Sequence, residues 1–294
     1  MLTMLTRRVF GKVMAGAMVL PVKLVEAQEA PRKTGLVAPQ FSVMMWTLKS
    51  RGTFEENLER VAAAGYSHVE LTGEFSKWSE DDWKRILARM QALKLSVDAT
   101  SGVKHGFADP AGGDAFLAEL RAMMPAVKRL GCGKIILLSG KRVEGAAEGA
   151  QHTASIETLK RAAELLDKAG VVCVVEPIDT LEDPTIYLDG VTEAFEIVRA
   201  VGSPKVKVLY DLYHEQREHG NLIEKLEKNI DEVALIHIAD VPGRHEPGTG
   251  EVNYGNIYRR LAELNYKGGI AMEFYPVGDA VETLRRAREE AMRA

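Results

Sequence analysis

Cysteine is nearly absent: the 294 residues carry two, Cys132 and Cys173. That excludes a disulfide-stapled scaffold and a sulfur-rich structural zinc site. One cysteine sits in a Gly-Cys-Gly turn and the other inside an apolar run, so both are expected as buried free thiols. An excess of basic charge is also missing. Lys and Arg number 38 against 42 Asp and Glu, a formal net charge of −4, which gives no reason to expect nucleic acid as a partner. No apolar run reaches the ~20 residues that cross a bilayer as a helix. Low-complexity tracts and sequence-level repeats are lacking too. What remains is an ordinary globular composition, 46% hydrophobic and 27% charged, on a chain long enough to bury a large core unaided.

The N-terminus stands apart. Thr6-Arg7-Arg8-Val9-Phe10-Gly11-Lys12 places paired arginines before a large apolar residue and a lysine. A short apolar run, Val13–Leu20, follows and is broken by Pro21. Val25-Glu26-Ala27 offers a small-residue cleavage site. The order resembles a twin-arginine signal, so residues 1–27 are expected to direct export, to a bacterial periplasm. Residues 28–40, rich in Pro and polar side chains, are expected as a linker. The mature chain is expected to have no stable membrane span.

From Phe41 onward, short apolar runs alternate with longer amphipathic ones. The pattern predicts strands over 41–47, 67–71, 95–100, 134–139, 171–176, 206–211, 233–239 and 269–274. Helices are predicted over 54–64, 80–93, 114–130, 154–169, 190–200, 221–230, 255–264 and 278–292. Within 154–169, Ile156, Leu159, Ala163 and Leu166 recur at steps of three and four and mark one buried face. Gly170 then stops the helix. Ile135–Leu138 and Val171–Val175 are continuously apolar, as parallel strands covered on both sides are. Eight βα units predict an α/β fold, a single-domain (β/α)8 barrel over 41–294. The competing doubly wound sheet wants a G-x-G-x-x-G turn after the first strand, and Leu48–Thr53 has none.

In such a barrel the chemistry gathers at the C-terminal strand ends. Four successive runs, the fifth to the eighth, end in Glu176, Asp211, His237 and Glu273. Each residue follows apolar sequence and would be partly desolvated unless paired or coordinated. A single acidic strand end is more often a cap or an ion-pair partner; four in succession are much harder to explain that way. Three carboxylates and one imidazole suit one hard or borderline divalent cation, Mn, Mg, Co or Zn. Val172 and Val174 share a face with Glu176, and Ala271 with Glu273, so small side chains would lie on the inner side. Further candidates stand nearby: His214, three residues past Asp211; Glu182, six past Glu176; and Arg244. Arg244 belongs to the loop within His237–Tyr254, whose Pro, Gly and charge suggest a surface shaped to hold something. Glu70, Trp46 and His105 are further candidates for direct substrate contact, but an ion pair, packing at the barrel mouth and a solvated loop explain them more simply.

These segments resemble the xylose-isomerase-like TIM barrel superfamily, and within it the hydroxypyruvate isomerase and tagatose/psicose epimerase group. The likeness is strongest in Val174–Asp179, Val208–His214, Ile236–Tyr254 and Met272–Pro276. The loop Arg244–Tyr254 looks very like that of hydroxypyruvate isomerases. The resemblance implies that Glu176 and Glu273 bind the metal and exchange the proton, with Asp211 and His237 completing the ligand set. It implies substrate contacts from Glu182, His214 and Arg244. The implied reaction is isomerisation or epimerisation of a sugar or hydroxy-keto acid through a metal-stabilised enediolate. The hydroxypyruvate isomerase branch commonly has Gln where this chain has His237, and the epimerase branch has His, so the loop points to one branch and the ligand to the other. A lyase or hydratase acting on keto-sugars or glycosides would use the same site, and a sugar-binding barrel without turnover is a further alternative. An apurinic endonuclease of this superfamily would need additional His ligands and a basic groove. A homo-oligomer is compatible with all of these.

Overall fold

The computed structural model describes residues 39–293. The expected signal, 1–27, and the expected linker up to residue 38 lie outside the described residues. Eight parallel strands close into a barrel in chain order. They are β1 (Gln40–Met44), β2 (His68–Leu71), β3 (Ser96–Thr100), β4 (Lys134–Leu138), β5 (Val172–Glu176), β6 (Val206–Asp211), β7 (Val233–Ile238) and β8 (Gly269–Met272). β8 pairs back onto β1, with Gln40 opposite Gly269 and Val43 opposite Met272, and this closes the sheet. Gln40 therefore belongs to the first strand rather than to the linker.

Helices surround the sheet: α1 (Phe54–Ala63), α2 (Glu80–Ala92), α3 (Gly113–Leu130), α4 (Ala150–Ala169), α5 (Val191–Val201), α6 (Leu212–Glu218), α7 (Leu222–Asn229), α8 (Tyr254–Glu263) and α9 (Ala280–Arg293). Local sequence explains their starts. Thr53 and Ser79 accept the third-residue amides of α1 and α2, and Glu56 and Asp82 reach back to the cap amides. α4 begins four residues earlier than the pattern predicts. It buries Ala154, Thr158, Leu159, Ala162 and Leu166 and ends at Gly170, whose φ of +69° suits glycine.

Three further differences from the sequence pattern bear on the site. Residues 45–47 are not strand, because Met45–Arg51 winds into a 3-10 turn. β8 stops at Met272, one residue before Glu273. α6 is an additional short helix directly after β6.

Two apolar layers hold the barrel. Met44, Ala99, Ile136, Val174, Leu209, Leu235 and Ala271 fill its interior, so the residues below the two C-terminal glutamates are indeed small or aliphatic. A larger cluster packs the outer strand faces against the helices, among them Val69, Ile135 and Cys173 with Leu58, Leu120 and Phe195. At the N-terminal end, Asp98 receives Gln40 at 2.8 Å and pairs with Lys134. Both cysteines are free and buried. Burial pushes each thiol up to about 12, which leaves them unreactive. No helix among the described residues is long and apolar enough to cross a membrane.

Candidate metal centre

The C-terminal ends of β5 to β8 bring four side chains together. Glu176 is the last residue of β5, Asp211 the last of β6, and His237 the next to last of β7. Glu273 follows β8 directly, and its amide donates to the Ile238 carbonyl at 3.0 Å. A register shift between Val208 and Leu209 sets Asp211 opposite His237, a use of bulges common beside functional strand ends. Each of the four residues offers one ligand atom, these atoms lie within 4.8 Å of one another, and all four residues are buried.

Asp211 shows what this arrangement suits. Its Oδ1 accepts the backbone amides of Tyr213 at 2.7 Å and His214 at 3.2 Å, and so starts α6. Its Oδ2 is buried and accepts no hydrogen bond; Arg244 Nη2 and His214 Nε2 stand 3.6 and 3.5 Å from it, beyond hydrogen-bonding contact. A buried carboxylate oxygen without a donor is costly. A divalent cation shared with Glu176, His237 and Glu273 would satisfy it, and the oxygen-rich donor set fits such an ion.

His237 is engaged at both ring nitrogens. Nδ1 lies 2.8 Å from Glu273 Oε2 and 3.6 Å from Glu176 Oε1. Nε2 lies 2.9 Å from Glu70 Oε2. Glu70 is therefore an ion-pair partner of the histidine, one of the two roles its position on the second strand allowed.

Arg244 closes the site from the loop after β7. Its backbone adopts φ +55°, and its guanidinium lies between the rings of Trp46 and Tyr213, 5.2 and 4.9 Å from their centroids. Nη2 donates to Glu273 Oε2 at 2.9 Å, and Nη1 lies 3.6 Å from Glu182 Oε1. Trp46 Nε1 donates to the other Glu273 oxygen at 3.0 Å. His214 turns Nε2 to within 3.4 Å of Arg244, while Asp179 holds its Nδ1 at 2.6 Å. Asp179 also receives Arg217 at 3.1 Å and the Glu182 amide at 2.9 Å. The seven site residues expected from the sequence thus converge. Glu182 is the most exposed of them, at the rim. His105 stands apart, paired with Glu119 in an exposed setting at 3.0 Å.

Asp179 and Asp240 were not singled out by sequence. Asp240 is fully buried and accepts four backbone amides, those of Val241, Gly248, Gly250 and Val252, at 2.8–3.0 Å. It sets the loop that carries Arg244. A side chain at Gly250 would strike the Val241 carbonyl at 2.0 Å, which explains the glycine there. The one signal available was that both acids fall one to three residues past the C-terminal end of a barrel strand.

Electrostatics divides the two glutamates. Burial pushes Glu176 up to about 7, against the pull of His237. Burial acts on Glu273 as well, but there His237 and Arg244 outweigh it and hold the carboxyl well below its usual range. His214 is raised: burial works against its charge, and Asp211 and Asp179 overcome that. His237 is raised further, against strong desolvation, by Glu273 and Glu70.

The profile of a family described as a xylose isomerase-like TIM barrel matches residues 58–293. The chain is 28% identical over 242 residues to hydroxypyruvate isomerase of Escherichia coli, covering 81% of this chain and 93% of that protein. It is 27% identical over 252 residues to 2-oxo-tetronate isomerase of Haemophilus influenzae, covering 84% and 97%. Among solved structures, one titled AP endonuclease, family 2, from Brucella melitensis superposes with a TM-score of 0.77 at 27% identity, over 84% of this chain and 97% of that one.

Proposed function

This chain belongs to the xylose isomerase-like TIM barrel family, and we propose that within it the chain is a divalent-metal-dependent isomerase or epimerase of a small sugar or hydroxy-keto acid. One observation carries the reading. Glu176 and Glu273 approach one ligand group from different strands, together with Asp211 and His237, and Arg244 and Trp46 fix Glu273 alone. Two carboxyls facing one buried site in this way suit a proton-accepting and a proton-returning role. The isomerases among the chain's relatives support the same class.

Glu176, Asp211, His237 and Glu273 would hold the cation. A cation bound there supplies Lewis-acid stabilisation of the negative charge that develops on the substrate's carbonyl and hydroxyl oxygens. One of Glu273 and Glu176 accepts the proton from carbon, and the other returns a proton to the neighbouring carbon in isomerisation, or to the opposite face of the same carbon in epimerisation. Trp46 and Arg244 fix both Glu273 oxygens and so limit the directions from which it can approach carbon. Arg244, His214 and Glu182 present donors and acceptors for substrate hydroxyls, with the Arg244 fork offering paired contacts.

A nuclease is disfavoured. Among the described residues, the ligand group of four is the single one found, and the chain has no basic excess. In this reading residues 1–27 export the chain to the periplasm. The motif Arg7-Arg8 supports that, and Arg7→Lys with Arg8→Lys would retain the protein in the cytoplasm.

The test is a proton NMR screen in D2O on protein stripped with chelator and reloaded with Mn, Mg, Co or Zn. The panel holds hydroxypyruvate, small ketoses, aldoses and keto-glycosides. Metal-dependent exchange of an α-proton with no change in product mass is the expected result. Loss of water or of an aglycone would move the site to elimination chemistry. Metal binding without turnover of any compound would favour a binding barrel.

A further inference from the structure

Glu70 has no part in the ligand group, yet it is completely buried. A carboxylate so placed needs partners for both oxygens. It has two, one on each oxygen. Ser42 on β1 donates its hydroxyl to Oε1 at 2.8 Å, and His237 Nε2 lies 2.9 Å from Oε2. No Lys or Arg is paired with it among the described residues. Its charge is matched by the imidazole alone. A register shift between Val69 and Glu70 on β2 accompanies this placement.

The imidazole can present either nitrogen to the ligand group, and hydrogen bonding of the other one decides which. Here Nδ1 is the nitrogen that faces Glu176 and Glu273, at 3.6 and 2.8 Å. Nε2 points away from them, to Glu70. Taking the metal reading above as its premise, we propose that Ser42 and Glu70 form a relay that sets His237. Ser42 orients the Glu70 carboxylate, Glu70 accepts the hydrogen bond that Nε2–H donates, and Nδ1 is left with its lone pair toward the cation position. Glu70 is a positioning residue: its side-chain hydrogen bonds go to Ser42 and the imidazole, and it acts on the site through the ring. Partners of this kind fix ring orientation and raise ligand basicity, and their loss typically costs ~10–100-fold in metal affinity.

The relay makes a graded prediction. Glu70→Gln keeps an amide oxygen able to accept the hydrogen bond from Nε2–H. Glu70→Leu keeps bulk and removes the acceptor. Ser42→Ala leaves the acceptor but frees its orientation. The full-length protein, stripped of metal, is titrated with Mn(II) by calorimetry, and thermal melting of each metal-free variant reports folding. Expected Mn(II) dissociation constants rise ~10–100-fold for Glu70→Leu and only several-fold for Glu70→Gln and Ser42→Ala.

A second readout does not depend on activity or affinity. In Zn(II)-loaded protein labelled with 15N-histidine, His237 is expected to show a protonated Nε2 whose proton exchanges slowly with solvent. In Glu70→Gln that proton is retained with faster exchange. Wild-type metal affinity in a folded Glu70→Leu variant would overturn the relay, and so would a protonated Nδ1 in the Zn(II)-loaded wild type. If Glu70→Leu does not fold, unchanged proton exchange and affinity in both Glu70→Gln and Ser42→Ala would overturn it. Failure of the wild type to bind any divalent metal would instead remove the metal reading on which the relay rests.

Discussion

Glu176 and Glu273 both lie against Nδ1 of His237, at 3.6 and 2.8 Å, but Glu273 alone also receives Arg244 and Trp46. One buried carboxyl is thereby held ionised, and the other is pushed toward the protonated form. The difference originates in chain topology. Glu273 stands between the Arg244 loop and the turn carrying Trp46, whereas Glu176, on the far strand of the ligand group, has neither partner, and burial outweighs the pull of His237.

Replacing either glutamate with glutamine tests this division. Loss of a positioned acid or base costs ~10²–10⁴-fold, and both variants also lose a metal ligand. Turnover is therefore expected to fall at least ~10³-fold in each, with thermal melting little changed. Measured by α-proton exchange in D2O, a folded Glu273→Gln enzyme of wild-type rate would remove that residue from the proton-transfer role.

Metal should stabilise the fold as well as support turnover. A ligand at a hundred times its dissociation constant adds ~2.7 kcal/mol to unfolding. For a domain of this size that is a rise in melting temperature of about 5–10 °C. Chelator should abolish activity and lower the melting point together, and Mn or Zn should restore both. An Asp211→Asn variant is expected to show a much smaller shift, because it replaces one carboxylate of the ligand group, whose buried Oδ2 accepts no hydrogen bond from the protein.

The metal-free protein should lose stability as pH rises through neutrality. Glu176 has a folded acidity near 7 against an unfolded value of ~4.3. Between those values the folded chain holds the extra proton, so stability falls as pH rises across that window. His237, also raised, acts in the same direction: its contribution is full below ~6.5 and is lost as pH climbs through its folded value. Glu273, held low, acts oppositely and only in acid, where its contribution is lost as pH falls. Denaturant melts from pH 5 to 8 in chelator should show this decline, and Glu176→Gln should flatten a large part of it. An equally steep decline in that variant would place the origin elsewhere.

How much of this was legible in the sequence depended on whether the signal was local. The barrel was readable because parallel strands covered on both faces leave continuous apolar runs, as in Ile135–Leu138, and because helices such as α4 carry their period within themselves. The ligands were readable because each directly ends such a run. α6 was not: Leu212, Tyr213, His214 and Glu215 are all buried, so no amphipathic contrast marks it. Its start is fixed by the Asp211 side chain, which looked like a ligand and is also a cap. The pairing of Glu70 with His237 spans 167 residues, and that of Asp179 with His214 spans 35. Nothing in either neighbourhood announces the partner. Ordinary acidic residues past strand ends became interpretable once the barrel brought those ends together.

Asp240 gives the sharpest test of how the loop serves the site. Its carboxylate gathers four amides from residues 241–252, and the same loop presents Arg244 to Glu273. Removing it in Asp240→Ala leaves those buried amides without their acceptor, at ~1–3 kcal/mol for each group that water does not reach. The loss will be smaller than the sum because the loop can open to solvent. A destabilisation of ~2–4 kcal/mol is expected, with faster hydrogen exchange confined to 241–252. The kinetic consequence follows from Arg244. Once its backbone is released from φ +55°, the guanidinium no longer lies fixed between Trp46 and Tyr213, so the Michaelis constant should rise and turnover fall. Asp240→Asn keeps an acceptor on one side and should fall between wild type and Asp240→Ala. Full activity in Asp240→Ala, with the loop shown to exchange freely, would mean that Arg244 finds its position without the loop.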